Sequence, residues 1–283
     1  MPDSVIHDIG YQRYEGVRLG RRYAVRSLWV YSLRSAYGLG RSAKAKILPA
    51  GLFTLACVAS VVLVVVNNAL HQRVLSYVGL VSTFSYAATV FVAIVGPELV
   101  SRDLRTNLLA LYFSRPIERS DYALAKLGAL AAALFGLFTG PLLIMLLGMA
   151  FNATGGVGGV FHEIGLFLEG LVTAAIHSAV FAAIALPLAS LTGRRMFGTG
   201  LIIGVFLITA PVSGVLRTLD TGTLGRLAGL LDPVSLVNGV DRWLWGEGLY
   251  DTGQYGAAYG LVAVAVTLLG TAGLLRRYRR VRA

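Results

Sequence analysis

Long apolar blocks separated by shorter polar stretches dominate this chain. A helix that crosses a bilayer core about 30 Å thick needs roughly 20 mostly apolar residues, at about 1.5 Å each. Six blocks meet this requirement, so we predict an all-α integral membrane protein with six transmembrane helices. The predicted spans are residues 48–66, 74–96, 127–150, 166–191, 196–216 and 255–275.

The polar stretches define the remaining organisation. Residues 1–47 form a basic N-terminal segment, which lacks the short charged cap and apolar core of a cleavable signal peptide. Residues 97–126 form a long loop after the second span, residues 217–254 a loop before the sixth, and residues 276–283 a basic tail. Overall, 56% of the residues are hydrophobic and 14% are charged, which is typical of a polytopic membrane protein.

Basic residues set the predicted orientation. With the N-terminus inside, 21 of the 25 Lys and Arg residues fall on the inner side, which predicts two cytoplasmic termini. The net charge of +11 is then explained by topology and anionic lipid head groups, so we expect lipid and no nucleic acid as partner. Arginine outnumbers lysine 22 to 3, which indicates a high-GC bacterium and hence its inner membrane. The lone Cys57 excludes an intramolecular disulfide.

The loop of residues 97–126 carries its own apolar face. Leu104, Leu108, Leu111 and Tyr112 recur at helical spacing among charged residues. This pattern predicts a separate cytoplasmic helix over residues 98–113, beginning after Gly96-Pro97 and ended by Pro116, with Ser120 as the N-cap of the next helix. The alternative is a solvated loop whose arginines only set topology.

The same loop resembles that of type 2 ABC transporter permeases. The resemblance implies a coupling helix that docks in a groove of a separate ATP-hydrolysing subunit, with Leu108 and Tyr112 as apolar anchors. The matching positions are Glu98, Arg102, Asp103, Arg105, Thr106, Ser114, Arg115, Pro116, Arg119, Asp121, Tyr122 and Lys126.

Two further features of that family have counterparts here. An N-terminal amphipathic connecting helix is implied by an apolar stripe of Leu19, Tyr23, Val30, Leu33 and Tyr37. Short extracellular helices before the last span are implied by the Asp232-Pro233 pair, which is typical of a helix start. An apolar series follows that pair: Val234, Val237, Val240, Trp243 and Leu244.

The sequence lacks the motifs of nucleotide-binding, zinc-binding and hydrolase active sites. None of the three lysines lies in a G-x-x-x-x-G-K-[ST] phosphate-binding loop, so we expect ATP and Mg²⁺ on a partner ATPase and no cofactor here. The four histidines lack zinc-ligand spacing, and there is no G-x-S-x-G elbow. We therefore predict that the chain is not itself an enzyme.

Polar residues inside the predicted spans are the candidates for a substrate path. Glu169 is the only formally charged residue in the six predicted spans, and Glu169, Thr173 and His177 share one helix face. Glu169 lies near the outer end of its span, so simple contact with water is the alternative. In the second span, the side chains suited either to that path or to interhelical hydrogen bonds are Ser82, Thr83, Ser85 and Tyr86.

The sequence favours a permease subunit of an ATP-driven exporter. Such an exporter would contain two permeases, identical or paralogous, and two ATPases. A secondary transporter and a non-transporting membrane scaffold are the alternatives, although the chain lacks the two similar halves expected of the former.

Overall fold

A computed structural model describes residues 16, 19–70, 72–105, 112, 116–153, 156–220 and 222–280. All regular secondary structure in these ranges is helical. We number its α-helices in chain order: α1 (Arg21–Ala36), α2 (Ala43–Leu70), α3 (Tyr77–Arg105), α4 (Arg119–Phe151), α5 (Val157–Ser190), α6 (Arg195–Leu219), α7 (Thr223–Leu227), α8 (Pro233–Trp245) and α9 (Gly256–Arg280). Two 3₁₀ turns, Ala228–Leu231 and Gly253–Tyr255, flank α8.

Six of these helices are long and apolar enough to cross a membrane: α2, α3, α4, α5, α6 and α9. The chain is therefore a multi-pass membrane protein. Most of these helices extend past the predicted apolar blocks, because backbone hydrogen bonding continues into polar turns beyond the hydrocarbon core.

Helices α3, α4 and α5 pack against one another at the centre of the bundle. Helix α2 packs on α4, α6 packs mainly on α3, and α9 packs on α5, α4 and α8. The most apolar windows of α2, α6 and α9 are only 17% buried, against 56% for α3 and α5, so the first three helices lie at the periphery.

Glycines on α4 receive large side chains from α2. A Cβ atom at Gly140 would lie 2.4 Å from Phe53 Cε2, and a Cβ atom at Gly148 would lie 2.4 Å from Val64 Cγ1. Because no side chain other than hydrogen fits, these two glycines set how closely α2 approaches α4.

Helix α1 lies against α4 and α3 through a face that differs from the predicted one. Leu28, Ser32 and Ala36, spaced four residues apart, are its buried residues. Of the predicted stripe, Leu33 and Tyr37 pack against the core, but Leu19 and Tyr23 are more than half exposed. Large apolar side chains mark the stripe in the sequence, whereas small residues allow the close approach that the structure uses.

The helix break predicted at Gly96-Pro97 is wrong. Helix α3 continues through Pro97 to Arg105, so Glu98 and Asp103 lie on an extension of the second span. Pro97 packs against Gly198 of α6, where a Cβ atom would lie 3.2 Å from the proline ring. The predicted N-cap at Ser120 is also wrong: Glu118 caps α4, and its backbone N–H donates to Asp121 Oδ2 (3.1 Å).

Helix α8 begins as the Asp-Pro pair predicts. Asp232 is its N-cap and accepts a hydrogen bond from the Ser235 backbone N–H (2.8 Å), and Pro233 opens the first turn. Every residue from Pro233 to Asp241 is buried, so α8 inserts among α3, α5, α6 and α9 rather than lying on the surface.

Candidate functional site

Most of the basic residues that the structure describes lie at one end of the bundle. We call it the basic end: it carries α1, the end of α3, the start of α4, the turn between α5 and α6, and the end of α9. Arg119 Nη1 donates to the carbonyl of Arg279 (2.9 Å), which ties the start of α4 to the end of α9 at this end.

A buried ion pair joins α3 to α4 at the basic end. Lys126 Nζ lies 2.8 Å from Asp103 Oδ2, and the Tyr122 hydroxyl donates to the same oxygen (2.7 Å). Lys126 is 2% exposed and Asp103 is 6% exposed. Such a pair is retained because removing either partner would leave the other charge uncompensated in a low-dielectric site.

Aromatic rings extend this junction to a third helix. The centroid of the Tyr122 ring lies 5.1 Å from that of the Tyr278 ring of α9 and 5.7 Å from that of the Tyr112 ring. Ser101 donates to the carbonyl of Ala189 near the end of α5 (3.4 Å). We call Asp103, Tyr122, Lys126 and Tyr278 the basal junction, because it connects α3, α4 and α9.

The basal junction changes two sequence expectations. Asp103 was expected as a surface charge for a partner, but it is buried and paired within the chain. Tyr112 was expected as a free apolar anchor, but it packs against the core and Tyr122. Pro116 is exposed. Thr106, Leu108 and Arg115 lie outside the described residues, and so do the side chains of Arg102 and Arg105.

Glu98, one turn before the junction, is held by two arginines. Arg41, between α1 and α2, lies 2.5 Å from Glu98 Oε1, and Arg195, at the start of α6, lies 2.7 Å from Oε2. The Glu98 side chain is 10% exposed, so this carboxylate faces inward. It therefore links α3 both to the connection between α1 and α2 and to the start of α6.

Arg21 fastens α1 to the start of α4. Its guanidinium contacts Glu118 and donates from Nε to Asp121 Oδ2 (2.7 Å). The hydrogen bond with Asp121 raises the pKa of Arg21 above its ordinary value. At the other end of α1, the Tyr37 hydroxyl donates to the carbonyl of Ala133 (2.6 Å), and burial raises the pKa of Tyr37 to about 12.

A second buried polar network lies inside the bundle. His177 Nδ1 is 2.6 Å from Ser85 Oγ, and its Nε2 is 2.8 Å from Asp241 Oδ2. The Ser82 hydroxyl donates to the same Asp241 oxygen (2.8 Å). We call these four residues the His177 network. It connects α3, α5 and α8, and it confirms that Ser82 and Ser85 make interhelical hydrogen bonds.

The His177 network resembles a nucleophilic triad only in composition. Ser85, His177 and Asp241 each have no exposed surface, and Ser85 also donates to the carbonyl of Val81 (3.0 Å). A nucleophile must reach its substrate. The arrangement is therefore suited to holding α8 in the bundle rather than to acyl transfer.

The three candidate path residues lie in different environments. Thr173 and His177 are fully buried, and Thr173 accepts a hydrogen bond from Trp245 Nε1–H (3.0 Å). Glu169 is partly exposed. Thr173 and His177 thus bind α8, and the structure does not bring all three residues into one open channel.

The end opposite the basic end has its own acidic anchor. Glu163 contacts Arg73 and accepts a hydrogen bond from the Tyr77 hydroxyl (2.9 Å). This side chain is 7% exposed, so it is buried although Glu163 precedes the predicted span of residues 166–191. It connects the start of α5 to the loop before α3.

Sequence reasoning missed Asp241. It was assigned to an extracellular loop, yet it lies four residues after Val237 and seven after Val234, on the same helix face. An acidic residue inside an otherwise apolar helical stripe was the available signal for a buried charge.

Within the described ranges, no group of three or more His, Cys, Asp and Glu side chains is arranged to hold a metal ion. No protein-family model matches the chain, and comparison with curated proteins finds no significant similarity.

Proposed function

We propose that this protein is the permease subunit of an ATP-binding-cassette exporter in a bacterial inner membrane, with both termini cytoplasmic. Two copies of a separate ATPase would dock at the basic end and carry ATP and Mg²⁺. A second permease, identical or paralogous, would complete the substrate path. The chain itself would bind no nucleotide and catalyse no reaction.

The basal junction is the observation that carries this proposal. An exporter must convert movement at the connection between α3 and α4 into movement of the spans. The Asp103–Lys126 ion pair joins the two ends of that connection. The Tyr122 ring then packs against the Tyr278 ring of α9. Because packed interfaces shift as units rather than deform continuously, a push on residues 106–118 would be transmitted to three spans.

Two helices outside the six spans support the same proposal. Helix α1 would act as the connecting helix, since Arg21 and Tyr37 fasten both of its ends to α4. Helix α8 would act as a re-entrant helix that moves with α3 and α5, since the His177 network joins the three.

A secondary transporter is the alternative with a specific observation in its favour. Buried titratable residues within the membrane domain are typical of proton-coupled carriers, and His177 of the span α5 and Asp241 of α8 are such a pair. Both side chains are fully buried, however, whereas a proton relay needs contact with water on one side. The alternative therefore ranks second.

Purification of the tagged full-length chain from its native membranes in mild detergent tests the proposal. We expect a polypeptide with a G-x-x-x-x-G-K-[ST] motif to co-purify and to hydrolyse ATP. Leu108→Ala should weaken this association more than Arg105→Ala, because a buried apolar anchor can contribute more than about 2 kcal/mol whereas rim charges are screened. Lys46→Ala, at an exposed basic residue near the start of α2, is the control.

The basal junction predicts a separate effect on coupling. Tyr122→Phe removes the hydroxyl that donates to Asp103 but keeps the ring against Tyr278. We expect the ATPase to co-purify as before while hydrolysis per bound ATPase falls several-fold. If no ATPase co-purifies, the exporter proposal is wrong. If Tyr122→Phe hydrolyses ATP at the wild-type rate, the basal junction does not take part in coupling.

A further inference from the structure

A cleft of about 710 Å³ opens at the basic end between α2 and α6, above α3. Its charged lining residues come from three separate stretches of the chain, and they are Arg41, Lys44, Glu98 and Arg195. Three cations and one carboxylate leave a formal charge of +2 in the cleft.

The charges are arranged to receive an anion. Glu98 holds the guanidiniums of Arg41 and Arg195 on its two oxygens, and all three residues line the cleft. Lys44 is exposed, and the described residues offer it no ion-pair partner. A phosphate or carboxylate group in the cleft would contact cations that are already positioned, which lowers the cost of ordering them.

Most of the remaining lining is apolar, which a free anion would not need. Its larger apolar residues are Leu48, Pro49, Ile94, Val95, Met196 and Ile203, and its hydroxyl residues are Ser35, Ser42 and Thr199. The cleft also continues into a groove of about 750 Å³ on α6, because Met196 and Gly200 line both. The ligand that fits this combination has an anionic head and an apolar tail.

The groove on α6 has the dimensions of a lipid chain. It follows one helix face from Met196 to Thr209, which is about 20 Å at 1.5 Å per residue and exceeds one leaflet of a core about 30 Å thick. Gly200 and Gly204 form its floor, and a Cβ atom at either would meet no other atom within 4 Å. The space next to these two glycines is therefore empty and is not filled by a neighbouring helix.

From this charge and shape we infer that the cleft binds the head group of an anionic membrane lipid, with one acyl chain along the α6 groove. The site requires only this chain and a bilayer. It therefore does not depend on an ATPase partner, and its test is independent of the exporter proposal.

Lipid binding to the purified full-length chain in detergent tests the inference. We would titrate phosphatidylglycerol, phosphatidylcholine and inorganic phosphate separately, and follow the melting temperature and bound lipid by native mass spectrometry. We expect phosphatidylglycerol to stabilise the protein at lower concentration than phosphatidylcholine, and phosphate alone to have no effect. Equal responses to the two lipids, or stabilisation by phosphate alone, would overturn the inference.

Two matched pairs of variants locate the site. Lys44→Glu should weaken phosphatidylglycerol binding at least about fivefold, since one basic residue near a membrane surface contributes about 1 kcal/mol. Lys46→Glu is its control, because Lys46 is equally basic and exposed but does not line the cleft. If the two substitutions have equal effects, the effect comes from the general surface charge and the proposed location of the site is wrong.

Gly204→Leu fills the groove, and Gly214→Leu on the same helix is its control, because both glycines face open space. We expect only Gly204→Leu to weaken lipid binding, with the melting temperature of the lipid-free protein unchanged. If Gly204→Leu instead changes the oligomeric state and leaves lipid binding intact, a second copy of the chain occupies the groove and the inference is wrong.

Discussion

At the residue scale, three buried acids are stabilised by pairing, whereas the buried Asp232 accepts hydrogen bonds from the Ser235 backbone N–H and the Thr209 hydroxyl. Asp103 has Lys126 and Tyr122, Glu163 has Arg73 and Tyr77, and Asp241 has His177 and Ser82. Each of these three acids therefore has a cation or an imidazole together with a hydroxyl donor. An unpaired carboxylate at these depths would be costly, because no water replaces its lost hydration.

The His177 network predicts non-additive effects of substitution. His177→Phe should lower the stability by about 3 to 5 kcal/mol, because Asp241 loses its imidazole while the new ring still fits beside Phe138 and Phe181. The double variant His177→Phe/Asp241→Leu should be less destabilised than the single variant, because no buried charge remains.

Thermal unfolding in detergent measures this effect. The single variant should melt at least about 5 °C below the wild type, and the double variant should recover part of the loss. Asp251→Asn is the control, since Asp251 is exposed and the amide keeps an acceptor oxygen. A double variant as unstable as the sum of its two single variants would show that the pair is not coupled.

At the scale of the elements, small residues decide which helices meet. Gly140 and Gly148 accept α2, and Gly198 accepts Pro97 of α3. Gly270 of α9 lies against the backbone of α5, where a Cβ atom would lie 2.1 Å from the carbonyl oxygen of Ala183. An apolar side chain is about as favourable in contact with lipid as in contact with another helix. The shapes of the helices, rather than their hydrophobicity, therefore specify these contacts.

The contact between α2 and α4 can be broken and restored. Gly140→Val places carbon atoms where the Phe53 ring lies, so we expect a lower melting temperature. Removing that ring in Gly140→Val/Phe53→Ala should restore part of the loss. Gly214→Val, in open space on α6, should have little effect, and a similar loss there would mean that helix propensity rather than packing is responsible.

At the scale of the whole molecule, the two ends of the bundle differ in charge. Arg194, Arg195, Arg277, Arg279 and Arg280 lie at the basic end, whereas Arg73 at the other end is paired with Glu163. The positive-inside rule then predicts that the basic end is cytoplasmic.

Single cysteines test this orientation in a Cys57→Ala background. Gln72→Cys and Gly158→Cys lie at the end opposite the basic end, so an impermeant thiol reagent should label them in intact cells. Arg194→Cys and Arg280→Cys lie at the basic end and should react only after permeabilisation. Labelling of one residue from each end in intact cells would contradict the six-span arrangement.

The sequence alone was sufficient for features that depend on local physical chemistry. The six spans follow from apolar length, and the start of α8 follows from Asp232-Pro233, because one residue supplies the cap and the next has a suitable backbone angle. Pro97 shows the limit of such reasoning. A proline usually ends a helix, but α3 continues through Pro97 to Arg105. The Pro97 ring packs closely against Gly198 of α6.

Only the tertiary structure decided which polar residues meet. Asp103 and Lys126 lie on different helices, as do His177 and Asp241, so neither pair follows from spacing along one helix. The cleft at Glu98 likewise needs three segments that are distant in the sequence. Hydrophobicity acts residue by residue and is readable from the chain, whereas pairing of buried charges depends on helix contacts that small residues set across the bundle.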